Sequence, residues 1–171
     1  MKITAHKFKN RSLINFLKYA SVHYASLLMT KRLIANLKIK LIGFDHDDEY
    51  SGFCTSVDTR RYPREFEIEL NTSFSFEKIL TTLAHEFVHV KQFARGELGE
   101  KLIKLPDKTS KQTTTVWKRE YFDPDIDYDK RPWELEAQSM EDIMYYDLIE
   151  HCFLNNKSQL EKMLLFNHFY K

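Results

Sequence analysis

Two cysteines in 171 residues, Cys54 and Cys152, are too few for a disulfide framework or a Cys-rich zinc site. They read as two reduced thiols of a cytoplasmic protein, with a single bridge between them as the alternative. Four glycines and four prolines exclude a low-complexity or linker-rich chain. No stretch approaches the roughly 20 apolar residues that span a bilayer. Lys18 and His23 interrupt the apolar run from Leu13 to Met29, so the N-terminus lacks the apolar core of a signal peptide. These absences predict a cytoplasmic chain without a membrane partner. Acid is also missing where charge is dense. Of the 26 basic side chains, nine fall in residues 1–44, which contain no Asp or Glu, so the remaining 17 face all 25 acids. Such a segment reads first as the solvated face of a helix. A dock for nucleic acid or another anion, and a targeting segment, are the alternatives. Nothing in the sequence indicates an oligomeric state.

What is present suits one compact domain over 1–171: 43% of the residues are hydrophobic and 14% aromatic. Three parts are expected: a basic helix within 1–35, a sheet with a helix over 36–96, and a loop with two helices over 97–171. From Arg11 to about Leu28 the apolar residues Leu13, Phe16, Leu17, Ala20, Tyr24, Leu27 and Leu28 follow the helical period. Asn36 to Phe44 alternates as a strand, and Gly52 to Val57 is its expected hairpin partner across a charged turn, Asp45 to Ser51. Arg64 to Leu70 alternates strictly, Phe66, Ile68 and Leu70 against Glu65, Glu67 and Glu69, as a strand with one buried and one wet face. Ser73 or Ser75 caps a helix that Gly96 stops. Lys101 to Thr115 reads as a loop that enters a short strand near Thr113 to Trp117, and the Asp-rich run from Asp123 to Asp129 as another loop. Pro132 suits the first turn of a helix to about His151. A last helix is expected over 157–169. The order predicts an α+β fold.

The chemistry-bearing motif is His85-Glu86-Phe87-Val88-His89. Histidines at i and i+4 share a helical face about one turn apart, so their imidazoles can converge on one ion. Zinc suits neutral imidazole and carboxylate ligands around an open fourth position. Glu86 is rotated by about 100° from His85, which sets it beside that open position rather than on the ion. There it can take a proton from water attacking a carbonyl and pass it to the leaving amine. The bland alternative is a helix that happens to carry two histidines one turn apart.

A catalytic site needs a third ligand. No second motif holds the other histidines, so the acids of Pro132-Trp133-Glu134-Leu135-Glu136-Ala137 are the candidates. If Ala137, Met140, Ile143, Met144 and Leu148 set the inward face, Glu136 borders it. Glu134 then lines up with Gln138 and Glu141 on a more polar side, near backbone N–H groups of the first turn that it can serve. Glu136 is therefore preferred to Glu134. Asp147 follows on the Glu136 side; it reads first as a surface acid, with acceptance from a ligand histidine N–H as the alternative.

The strand Arg64 to Leu70, the His-Glu-x-x-His helix and the later Pro-Trp-Glu-x-Glu-Ala segment resemble small zinc metallopeptidases of the gluzincin type, SprT-like and minigluzincin-like proteins of prokaryotes and their phages. The resemblance covers roughly residues 60–150. It implies a small zincin-like domain with a short mixed or antiparallel sheet packed on the motif helix. It also implies Zn2+ held by His85, His89 and Glu136, Glu86 as general base, and an upstream strand, that of Glu65, Glu67 and Glu69, able to pair with an extended protein or peptide substrate. SprT proteins proper use a third histidine and a Cys-rich zinc ribbon for DNA, and this chain has neither. Tyr121 and Tyr128, before the second motif, are candidates to stabilise an oxyanion, although each reads first as a packing residue. The expected activity is zinc-dependent hydrolysis of peptide bonds in an extended segment. The rival is a zinc-binding scaffold or regulator with little turnover, or a nucleic-acid-associated protein docking through residues 1–44.

Overall fold

The computed structural model describes residues 1–46, 50–104, 111–123, 125–155, 158, 159 and 161. It is an α+β fold. In chain order the elements are β1 (Lys2–His6), α1 (Arg11–Leu28), α2 (Lys31–Ala35), β2 (Lys38–Phe44), β3 (Gly52–Ser56), β4 (Glu65–Asn71), α3 (Phe76–Arg95), β5 (Leu98–Lys104), β6 (Lys111–Trp117), β7 (Glu120–Phe122) and α4 (Pro132–Asn155), with one 3-10 turn at Tyr128–Lys130 before α4. The helix expected over 157–169 falls almost wholly outside the described residues, as do residues 47–49 of the charged turn.

Four strands form a sheet in the order β1-β2-β4-β3. β1 and β4 run parallel to β2, and β3 runs antiparallel to β4. The expected β2–β3 hairpin is therefore corrected: β4 lies between the two. The ladder explains why. Lys38 and Lys40 stand directly across from Glu65 and Glu67 and pair with them at 2.7 and 2.8 Å, and opposite charges across a ladder favour that register. On the other face Ile39, Leu41, Phe66, Ile68 and Leu70 are buried against α1 and α3. The five-residue β1, with its weak alternation, is absent from the sequence reading.

Helix α1 begins where the Asn10 side chain accepts from the backbone N–H groups of Ser12 and Leu13. Its Phe16, Leu17, Ala20 and Tyr24 are fully buried. α3 is capped by Ser75, which accepts from the Lys78 N–H, and ends at Gly96 with φ 69°. β3 lies close on α3: a Cβ on Gly52 would stand 2.5 Å from the Thr82 methyl and 2.8 Å from the Glu69 carbonyl, so only glycine fits.

Between α3 and α4, residues 98–104 pair antiparallel with 111–117, and β7 adds a third strand. The loop expected over Lys101 to Thr115 is thus a hairpin at both its ends. This second sheet builds a small apolar cluster of Leu98, Trp117 and Trp133 with Phe93, Phe122 and Ile126 around it. Phe122 meets Trp133 edge-on at 5.6 Å. Burial of such a ring contributes about 2–3 kcal/mol, and it pins the first turn of α4 just where the next residue, Glu134, must face α3. No described helix is long and apolar enough to cross a membrane.

Candidate metal centre

The motif histidines lie mid-way along α3, the most buried helix of the fold. His85, Glu86 and His89 are exposed by 9%, 5% and 8%. The Nε2 atoms of the two histidines face each other at 3.2 Å. The third group is a carboxylate of α4: Glu134 Oε2 stands 3.3 Å from each Nε2. Glu134 replaces the expected Glu136. The reason is the rotation of α4. Ile143, expected to face inward, is 61% exposed, whereas Trp133, Ala137, Met144, Leu148 and Cys152 are buried. That turns Glu134 and Glu141 towards α3 and leaves Glu136 at the rim. There Glu136 accepts from Lys91 at 2.9 Å, Gln92 at 2.9 Å and Lys118 at 3.3 Å.

The outer nitrogens of the two rings are fixed. His85 Nδ1 lies 2.6 Å from the Glu141 carboxylate, and His89 Nδ1 lies 2.8 Å from Gln92 Oε1. Gln92 donates through Nε2 to the Trp133 carbonyl and to Glu136, so its oxygen must be the atom that faces His89. Both rings therefore donate from Nδ1 and direct Nε2 lone pairs inward. Two lone pairs and a carboxylate oxygen meeting in a buried space repel unless a cation lies among them. Four-coordinate zinc with bonds of about 2.0–2.1 Å sets its ligand atoms about 3.3 Å apart, which matches the three separations here. The donor set, two imidazoles and one carboxylate with Nδ1 atoms held by an acid and an amide, fits zinc. Among the described residues it is the one group of three or more His, Cys, Asp or Glu side chains that could hold a metal ion.

Charge at the site follows the same geometry. Burial works against a charged His85, but hydrogen bonds with Glu134 and Glu141 outweigh it and push its pKa up to about 9. A proton and a metal ion are thus alternatives for the same cluster. Burial raises the Glu134 carboxyl, yet the neighbouring His85 and His89 and a hydrogen bond from Tyr128 hold it well below the usual carboxylate range. Burial pushes the Glu86 carboxyl up, against the pull of His89 and His85. Glu86 and His85 line a cavity of about 170 Å³ together with Ser51, Gly52, Thr82 and Tyr128.

The two candidate tyrosines part company. Tyr128 sits in the 3-10 turn before α4, lines that cavity, and hydrogen-bonds Glu134; burial and this bond raise its hydroxyl pKa. Tyr121 lies on β7, where its hydroxyl accepts from Lys101 at 2.6 Å, away from the cavity. Asp147 pairs with His23 at 2.7 Å rather than with either motif histidine. The strand of Glu65, Glu67 and Glu69 cannot pair with substrate, because β4 is bonded on both sides; among the described residues β3 is the edge strand beside α3. Gln92 and Glu141, which meet the outer nitrogens of the two rings, are not among the site residues expected from the sequence. The available signals are spacing alone: Gln92 follows His89 by three residues, and Glu141 follows Glu134 by seven, each pair on one helical face.

No family model, no curated protein and no solved structure matches the chain.

Proposed function

We propose that this chain is a zinc-dependent metallopeptidase in which His85, His89 and Glu134 hold the ion and Glu86 is the general base. The observation that carries the reading is the triangle of Nε2, Nε2 and Oε2 atoms, 3.2 to 3.3 Å on a side, opening beside a buried carboxylate that is not part of it. Zinc in such a site supplies a Lewis acid that polarises a carbonyl and makes water a nucleophile near neutral pH. The chain's own residues do the rest. Glu141 and Gln92 keep each imidazole in the tautomer that presents Nε2. Glu86, its proton affinity raised by burial, accepts a proton from the attacking water and returns it to the leaving amine. Tyr128 stands at the cavity with a hydroxyl that can turn from Glu134 to a developing oxyanion. The edge of β3 offers unpaired backbone groups to an extended polypeptide. The resemblance to gluzincins and a motif helix beneath an edge strand support a small zincin-like domain.

The test is Glu86→Gln. Glutamine is nearly isosteric but cannot take the proton. The variant is expected to fold, retain one zinc per chain and lose about 10² to 10⁴ in cleavage rate. Substrate is sought among unfolded proteins and a broad peptide library, since an edge strand pairs only with extended chain. Wild type and variant both zinc-loaded and both inert across that library would refute hydrolysis and leave a zinc-binding scaffold.

A further inference from the structure

A second, much larger cavity of about 1100 Å³ opens between the loop after β3, the end of α3 and the β5–β7 sheet. Six cations line it, Arg60, Arg61, Arg95, Lys101, Lys118 and Arg119, against three acids. Two of those acids are already engaged. Asp58 accepts from the backbone N–H groups of Arg60 and Arg64, and Glu97 pairs with Lys91 at 2.7 Å and Arg95 at 3.0 Å. Arg61 and Arg119 form no ion pair among the described residues.

Arg119 is held at a cost. Lys118 and Arg119 are the two central residues of the turn joining β6 to β7, with φ of 47° and 78°. A two-residue turn with both φ positive favours Asn-Gly. Here two cations occupy it and line the cleft instead, and strain of this kind concentrates at functional positions.

The cleft and the cavity of the candidate metal centre lie at opposite ends of β3. At its start Gly52 touches Thr82, one turn before His85, and lines the cavity shared with Glu86. At its far end Ser56 and Val57 line the basic cleft together with Phe93 and Arg95, beyond His89. β3 therefore runs alongside the whole His85–His89 segment, and at about 3.3 Å per residue a strand paired to its edge reaches from one cavity to the other. We propose that the basic cleft receives an acidic stretch of the polypeptide whose neighbouring residues lie along β3, so that substrates carry Asp or Glu on one side of the bond that is cut. The cleavage part rests on the metallopeptidase reading; the binding part does not. Single-stranded nucleic acid is the less favoured occupant, because each tyrosine it would stack on already carries a cation over its ring: Arg61 lies 5.3 Å over Tyr62, and Lys101 lies 5.2 Å over Tyr121.

The experiment has two arms on the full-length, zinc-loaded protein. In the first, fluorescence anisotropy measures binding of the Glu86→Gln variant to a labelled hexaglutamate peptide, a hexalysine peptide and a short oligo-dT at low salt. The hexaglutamate peptide is expected to bind and the hexalysine peptide not. Adding Arg61→Gln and Arg119→Asn, which leave the zinc content unchanged, is expected to weaken hexaglutamate binding about tenfold. In the second arm, protein with Glu86 intact digests an unbiased peptide library. Asp and Glu are expected to be enriched on one side of the cut, and the enrichment to vanish with Arg61→Gln/Arg119→Asn. Oligo-dT binding more tightly than hexaglutamate overturns the proposal in favour of nucleic acid. Cleavage without acidic preference overturns it and leaves the peptidase intact. Hexaglutamate binding without any cleavage upholds the cleft and removes the peptidase. Neither binding nor cleavage overturns both.

Discussion

Replacing Glu134 and Glu136 separately by alanine distinguishes holding a metal from holding a helix. Glu134→Ala removes one corner of the donor triangle and leaves two imidazoles, a poor site for zinc. Its affinity is expected to fall by more than the roughly 10- to 100-fold that follows loss of a ligand's outer hydrogen-bond partner. Glu136→Ala leaves the triangle whole. It removes acceptors from Lys91, Gln92 and Lys118. A hydrogen bond to a charged group contributes about 1.5–3 kcal/mol. The low end applies here, because Lys91 keeps Glu97 at 2.7 Å and Gln92 keeps the Trp133 carbonyl at 2.9 Å. Zinc affinity falls at most about tenfold, through a looser Gln92 behind His89. Zinc content after dialysis against a weak chelator gives the first quantity. Urea unfolding of the stripped proteins gives the second, a midpoint lowered by about 1 M for Glu136→Ala. Glu136→Ala losing zinc as completely as Glu134→Ala would refute the reasoning.

Tyr128→Phe is expected to retain zinc while kcat falls about 10²-fold or more with little change in KM; unchanged kcat with looser zinc would instead assign the hydroxyl to steadying Glu134. Gly96→Ala places a methyl at φ 69° and against the Tyr62 ring, so Tm should drop by about 2–8 °C, and an unchanged Tm contradicts the strain. Burial raises the Glu136 carboxyl, but hydrogen bonds from Gln92, Lys91 and Lys118 bring it below its ordinary 4.5. A depressed folded pKa stabilises fully above the unfolded value and loses that contribution as pH falls through the folded one. The stability gap between wild type and Glu136→Gln should hold near neutrality and shrink below about pH 4.5; a gap that widens on acidification has the wrong sign.

Periodicity in the sequence speaks for α1, α3 and β4, although α3 is buried on every side from Ile79 to Val90. α1 and α3 carry apolar residues at helical spacing, and β4 alternates without exception, so all three are legible in the sequence. Pairing is less so. That β4 separates β2 from β3 depends on Lys38 and Lys40 meeting Glu65 and Glu67 across 27 residues, a match that local alternation does not announce. The strands on either side of 105–110 are rich in Lys and Thr and give only Leu98 and Trp117 to a small apolar cluster, while Leu102 stays exposed, too little to mark them. At the site, His85, Glu86 and His89 stand in one contiguous motif and are read at once. Glu134 is not, because α4 is apolar on more than one side: Leu135, Ile143, Tyr146 and Phe153 are exposed while Ala137, Met144 and Leu148 are buried. With two apolar faces to choose from, the phase of the helix is ambiguous, and an error of under half a turn exchanges Glu134 for Glu136.

The hairpin sheet lies wholly inside the chain segment that joins His85 to Glu134, 49 residues apart. A metal ion bridging these two residues closes that segment into a ring. Ring closure depends on length only logarithmically, with about 0.6 kcal/mol for each doubling. Residues of the hairpin sheet can be added or removed with little penalty to the ion's hold, provided Trp133 keeps its apolar seat. Since Lys101, Lys118 and Arg119 also sit on this segment, the part of the molecule that would choose a partner is an interchangeable module, and the part that would do chemistry is not.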